Sequence, residues 1–138
     1  MTTIAVRDGV MACDSRMTGG YIAVCKSKVV EGRGCLVGFS GDAIAGYSGA
    51  MYIAGEAQDR PTTSKDDVWF LILRGDGMFL ADHEFRELPL SGNKYFAIGS
   101  GEQAAMVAMH MGATAAEAVK MAIKVDENSG GTVREFTL

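Results

Sequence analysis

Histidine is scarce in this chain, with two in 138 residues. Neither His83 nor His110 shares a motif with a cysteine or a carboxylate, so a His-based hydrolase would rest on composition alone. His110 lies among alanines and methionines and reads as a packed helix residue. Cysteine is also scarce. Cys13, Cys25 and Cys35 form no CxxC pair and no metal-ligand spacing, and an odd count without a secretory start fits a reducing cytoplasm. Basic residues do not outnumber acidic ones, and the formal net charge is −4. That charge argues against a non-specific nucleic-acid binder, and no basic run suggests a nucleic-acid or membrane patch. No apolar run is long enough to span a bilayer. The amino terminus lacks the basic start and apolar core of a signal peptide. These absences predict a cytoplasmic protein with neither nucleic acid nor membrane as partner.

What is present suffices for a packed domain. Hydrophobic residues make up 48% of the chain, and the length predicts one domain over residues 1–138 with a real core. The nine methionines read as core filler. The first fourteen residues, MTTIAVRDGVMACD, predict a hairpin, with Thr2–Arg7 and Val10–Asp14 as strands around Asp8-Gly9, a pair suited to a turn with both φ values positive. Ser15–Gly20 reads as a loop and Tyr21–Cys25 as extended. Lys26–Val30 and Cys35–Phe39 read as strands joined by a Glu31–Gly34 turn. Asp42 is the expected N-cap of a helix over about 43–57. Its glycines weaken that helix in isolation but would permit close packing on a sheet.

Farther along, Val68–Leu73 and Met78–Ala81 form a second expected hairpin around Gly75–Gly77. Residues 85–93, with Pro89, read as a loop or edge segment, and Tyr95–Ile98 as a strand. Ser100 and Thr114 each stand three residues before Gln or Glu, the spacing of a capping box, ahead of two helices. Residues 132–138 close the chain as a strand. The order is strands, helix, strands, two helices, strand, which is α+β rather than alternating βαβ.

Four stretches could carry chemistry. Removal of Met1 would make Thr2 terminal, with hydroxyl and α-amine on one framework, so that the amine could serve as general base for the hydroxyl. An unperturbed α-amine titrates near ~8. A nearby lysine ammonium would depress it and favour the alkoxide. Asp14 ends the return strand opposite Thr2, and Lys28 heads the next strand. By spacing alone each of these two reads as an ordinary surface charge. In GFSGD (38–42) a strand ends in Ser-Gly and enters a helix, exposing backbone N–H groups that could hold an oxyanion. Ser100 in AIGSGEQA is explained by an N-cap. Asp126–Gly131 by itself is a polar loop.

Together these pieces resemble the amino-terminal nucleophile hydrolases of the proteasome β-subunit and HslV class. The resemblance lies in TTIAVRDGVMACDSRMTGG, KSKVV, GFSGD, AIGSGEQAAMVAMHMGATAAEAVKMAI and DENSGG, and covers most of the chain except about 56–93. It implies a four-layer αββα sandwich of two mostly antiparallel sheets. It also implies Thr2 as nucleophile, Asp14 as acidic partner, and Lys28 as the site lysine, because the family lysine directly precedes the apolar strand residue, here Val29. Gly41 corresponds to the glycine whose N–H serves the oxyanion hole. Ser100 corresponds to the serine near the threonine amine, and Asp126 and Ser129 to the residues supporting that serine and the catalytic water. The family needs no metal or organic cofactor.

Family members usually have two long helices between GFSGD and the following hairpin. Here there is room for one, so the first helical layer is expected to be shortened. This weakens the expectation of the usual ring contacts and of an ATP-driven unfolding partner. The function implied is a threonine peptidase acting on peptides or unfolded segments as a homo-oligomer, active only without Met1. Two alternatives stand beside it: an amidohydrolase acting on a small amide through a more open site, and a non-catalytic proteasome-like assembly subunit that retains Met1.

Overall fold

The computed structural model describes residues 2–18, 22–24, 27–62 and 68–138, excluding the side chains of 17, 18 and 22–24. The expectations for Met1, Cys25 and Lys26 fall outside the described residues. The opening hairpin consists of β1 (Thr3–Arg7) and β2 (Val10–Cys13). Asp8 and Gly9 both take positive φ, 52° and 75°. That matches the twist of a tight two-residue hairpin. A short ribbon of β3 (Arg16–Thr18) and β4 (Ile22–Val24) follows, antiparallel, so part of the expected 15–20 loop is strand. Then come β5 (Val29–Gly32), β6 (Cys35–Ser40), α1 (Ala43–Ile53), β7 (Trp69–Arg74), β8 (Gly77–Ala81) and β9 (Glu87–Pro89). The chain closes with β10 (Tyr95–Gly99), α2 (Glu102–His110), α3 (Ala115–Val125) and β11 (Arg134–Thr137).

Two antiparallel sheets result, ordered β10-β1-β2-β11 and β5-β6-β7-β8-β9. The strand period of two divides each between two cores. Ile4, Val6, Met11, Cys13 and Ile98 of the first sheet meet Val29, Leu36, Leu71 and Leu73 of the second. On the outer face of the first sheet, Ala5 lies opposite both Ala12 and Ala97. This row of small side chains lets α2 and α3 pack down through Ala105, Met109, Ala118, Val119 and Ala122. On the outer face of the second sheet, Val37, Phe39, Phe70 and Ile72 meet α1 through Ala50, with Ala54 just beyond the helix end. Three cores separate four layers: α2 and α3, sheet, sheet, α1.

The first helical layer is short, as expected. Helix α1 stops at Ile53, four residues before the expected end. Asp42 caps it by accepting from the Ala45 N–H at 2.9 Å. Its glycines are required by proximity: a Cβ at Gly46 would lie 2.4 Å from the Phe39 ring, and one at Gly49 2.3 Å from that of Phe70. The apolar run VWFLIL is explained by burial on both faces, Leu71 and Leu73 toward one core and Phe70 and Ile72 toward another. Pro89 sits in the edge strand β9, where a missing N–H is tolerated. Among the described residues no helix is long and apolar enough to cross a membrane.

Candidate active site

The site forms where β1 begins, at the end of the sandwich away from the Asp8-Gly9 turn. Thr2 precedes β1 and is buried. Its carbonyl oxygen accepts from the Gly101 N–H and the Ser100 hydroxyl, each at 3.4 Å. Thr3 then pairs with Gly99 at the head of β10. A Cβ at Gly99 would stand 2.0 Å from the Thr2 carbonyl oxygen, so the close approach depends on glycine there.

Asp14 and Lys28 are not surface charges. Their side chains are 0% and 1% exposed, and Lys28 Nζ donates to Asp14 Oδ1 at 2.8 Å. The same oxygen accepts the Thr3 N–H at 3.0 Å, and Asp14 Oδ2 accepts the Gly130 N–H at 3.0 Å. Lys28 Nζ also donates to the Arg16 carbonyl. A buried charge is tolerated only when paired and hydrogen-bonded, and Asp14 meets that condition by binding three donors at once. Through them it ties β1, the 126–131 loop and the residue before β5 to one point.

A second network adjoins the first. Asp126 Oδ2 accepts from both the Ser100 and the Ser129 hydroxyls at 2.6 Å. Ser129 Oγ also lies 2.7 Å from Thr3 Oγ1. Burial works to raise the Asp126 pKa, but the donated hydrogen bonds from Ser100, Ser129 and the Asn128 N–H outweigh it and hold the carboxyl below its ordinary value. Ser100 is therefore not the N-cap of α2: Gly101 holds that position without a side-chain cap. The Thr114 capping box does form. The difference lies in a long-range competitor, since the Ser100 hydroxyl is drawn to Asp126.

Gly41 lies at the exposed junction of β6 and α1 with φ +102°. Among the described residues no hydrogen bond joins it to either network. The structure thus brings together Thr2, Asp14, Lys28, Ser100, Asp126 and Ser129, and sets Gly41 at the neighbouring strand end. Sequence reasoning missed Thr3, Gly130 and Gly99. The doubled TT and the second half of DENSGG were the available signals. Cys13 is no competing nucleophile, because burial pushes its thiol up to about 11 and keeps it protonated near neutrality. His110 is exposed rather than packed and contacts the Tyr95 hydroxyl through Nδ1 at 2.8 Å.

No protein-family model and no curated protein matches the sequence. Solved structures do match. BPH of Thiobacillus denitrificans superposes with a TM-score of 0.70 at 20% identity, covering 99% of this chain and 96% of that one. The same protein in complex with epoxomicin gives 0.69, at 20% identity and with 99% and 97% covered. Eukaryotic HslV from Trypanosoma brucei gives 0.68 at 16% identity, with 99% of each chain covered. The chain has the fold of BPH and HslV. That likeness runs over the whole length, so the shortened first helical layer does not remove it from the fold.

The Asp126 network has a measurable consequence. Asp126→Asn leaves two hydroxyls competing for a weaker, neutral acceptor, and because solvent reaches the carboxylate it is expected to cost only about 0.5–1.5 kcal/mol near neutral pH. A carboxyl held low by the fold contributes stability above its unfolded value, about 3.9, and loses it as pH falls through the lowered folded value. The gap between wild type and Asp126→Asn in urea titrations is therefore expected to be full at neutral pH. It should shrink only below the ordinary carboxylate range.

Proposed function

We propose that the chain is a threonine peptidase whose nucleophile is the Thr2 hydroxyl, exposed by removal of Met1. The observation that carries this reading is the Lys28–Asp14 pair, a lysine with 1% exposure held beside the first residues of β1. A buried ammonium there lowers the cost of forming the Thr2 alkoxide and keeps the α-amine neutral. In the reaction, Thr2 Oγ attacks the peptide carbonyl while the α-amine takes its proton. The oxyanion is held by the Gly41 N–H. The C–N bond breaks, and the leaving amine takes the proton back from the threonine amine. Water then adds to the ester with the same amine as base, releasing the acid and free Thr2. Ser100, Asp126 and Ser129 orient that amine and water. No metal or organic cofactor enters these steps.

The fold shared with HslV and with the epoxomicin-bound BPH supports the reading. It also supports a homo-oligomer, a ring being the form to test by sedimentation, with peptide or unfolded chain as substrate. The decisive experiment is intact mass of the Met1-processed protein with an epoxyketone probe. One adduct per chain is expected, abolished by Thr2→Ala together with turnover. A processed protein that takes no adduct would sink the peptidase. Met1 persisting in a cell with normal aminopeptidase would favour the assembly subunit. A monomer that turns over only small amides would favour the amidohydrolase.

A further inference from the structure

A cleft of about 360 Å³ opens between the two sheets at the end where Thr2 lies. Ser40 and Gly99 border it. Ser40 precedes Gly41, and Gly99 pairs with Thr3, so the cleft adjoins the strand ends that flank the proposed nucleophile. Its walls are the apolar side chains of Trp69, Leu80, Phe96 and Ile98. One ionisable residue lines it, Glu102, exposed in the first turn of α2. Among the described residues Glu102 makes no ion pair. Trp69 is 45% exposed although it is the chain's sole tryptophan and lies on a central strand. Nothing within the described fold requires an indole and a carboxylate to be left open on one cleft.

We infer that this cleft receives a basic side chain of the peptide substrate, its alkyl stem against the apolar walls and its cation at Glu102. The reading follows from chemistry. Lysine and arginine bury their stems on apolar surface while the charged head stays near polar groups. An indole face adds attraction for a cation. An acidic side chain would meet a like charge without a compensating donor. An apolar one would gain the walls and leave Glu102 unused. The catalytic meaning of the cleft rests on Thr2 being the nucleophile, but its binding preference does not.

Trp69 supplies its own reporter. The full-length protein carrying Thr2→Ala is titrated with blocked pentapeptides, acetyl-Ala-Ala-X-Ala-Ala-amide, where X is lysine, norleucine or glutamate, and indole fluorescence is followed. A saturable change is expected with lysine, an affinity about fivefold lower with norleucine, on the order of an exposed ion pair, and none with glutamate. Glu102→Gln is expected to erase the lysine preference while norleucine binding stays unchanged. Equal affinities for lysine and norleucine would overturn the inference. So would a lysine preference that survives Glu102→Gln, or no saturable signal at all. Wild-type protein tested in parallel for cleavage separates the two claims. Lysine-selective binding without turnover sinks the peptidase and keeps the cleft, whereas turnover without selectivity sinks the cleft alone.

Discussion

Lys28→Ala is expected to lower the unfolding free energy by about 3–5 kcal/mol, because it leaves a buried carboxylate without its counter-ion. The lower end of that range applies, since Asp14 keeps the N–H groups of Thr3 and Gly130 as donors. A surface lysine in the same place would change stability by no more than about 0.5 kcal/mol, so urea denaturation separates the two situations. Lys28→Ala combined with Asp14→Asn, each also made singly, removes both charges. The double variant should be more stable than the sum of the single losses predicts, which gives the coupling of the pair directly. Activity must be read on the folded fraction. There, Lys28→Ala should lose roughly a hundredfold or more in turnover, the scale of one electrostatic contributor at a preorganised site. Lys28→Arg should not restore it, because a planar fork cannot take the place of a compact ammonium in a position that is 1% exposed. Lys26→Ala serves as control and should leave turnover nearly intact. If the two alanine variants behave alike, the choice of lysine is wrong.

The Lys28–Asp14 pair also marks the boundary of what the residues alone disclose. The hairpin was legible because Asp-Gly acts locally, through the φ values of two residues. The N-caps at Asp42 and Thr114 were legible for the same reason, since each hydroxyl or carboxylate reaches a backbone N–H three residues on. The same spacing misled at Ser100, where the winning partner, Asp126, stands 26 residues away. Spacing likewise made Asp14 and Lys28 look like solvated charges. Only the resemblance to a known family set them in the site, because 14 residues of chain separation say nothing about who is buried with whom. Thr3 escaped notice for a subtler reason. Thr3 carries no reactive amine to mark it in the sequence, while the strand's own geometry gives it both contacts: its N–H to Asp14 and its hydroxyl to Ser129. The α+β order followed from apolar runs and turn residues, whereas the pairing of two sheets came only with the family resemblance. The ribbon at Arg16–Thr18 did not, since three residues are too short to show a period.

Gly99→Ala is expected to be among the most damaging single changes, with a loss of about 2–4 kcal/mol that combines backbone strain and a steric clash. Gly99 has φ +102°, where a side chain is strained whatever the space around it. Its added Cβ would also stand 2.0 Å from the Thr2 carbonyl oxygen. That neighbour is backbone, so it cannot step aside by changing a rotamer. It is also held by Gly101 and Ser100 on the same strand-to-helix turn. Gly112 isolates the first of the two costs. It has nearly the same φ, +105°, but nothing lies within 4 Å of its would-be Cβ. Gly112→Ala should therefore cost only the strain, about 1 kcal/mol. The excess in Gly99→Ala over Gly112→Ala then measures the contact with Thr2. The same shift should move the Thr2 hydroxyl off line, so the rate of epoxyketone labelling is expected to fall by at least tenfold in Gly99→Ala and to stay unchanged in Gly112→Ala. Equal stability losses in the two variants would show that Thr2 does not press against Gly99. Normal labelling of a destabilised Gly99→Ala protein would show that the reactive residue lies elsewhere.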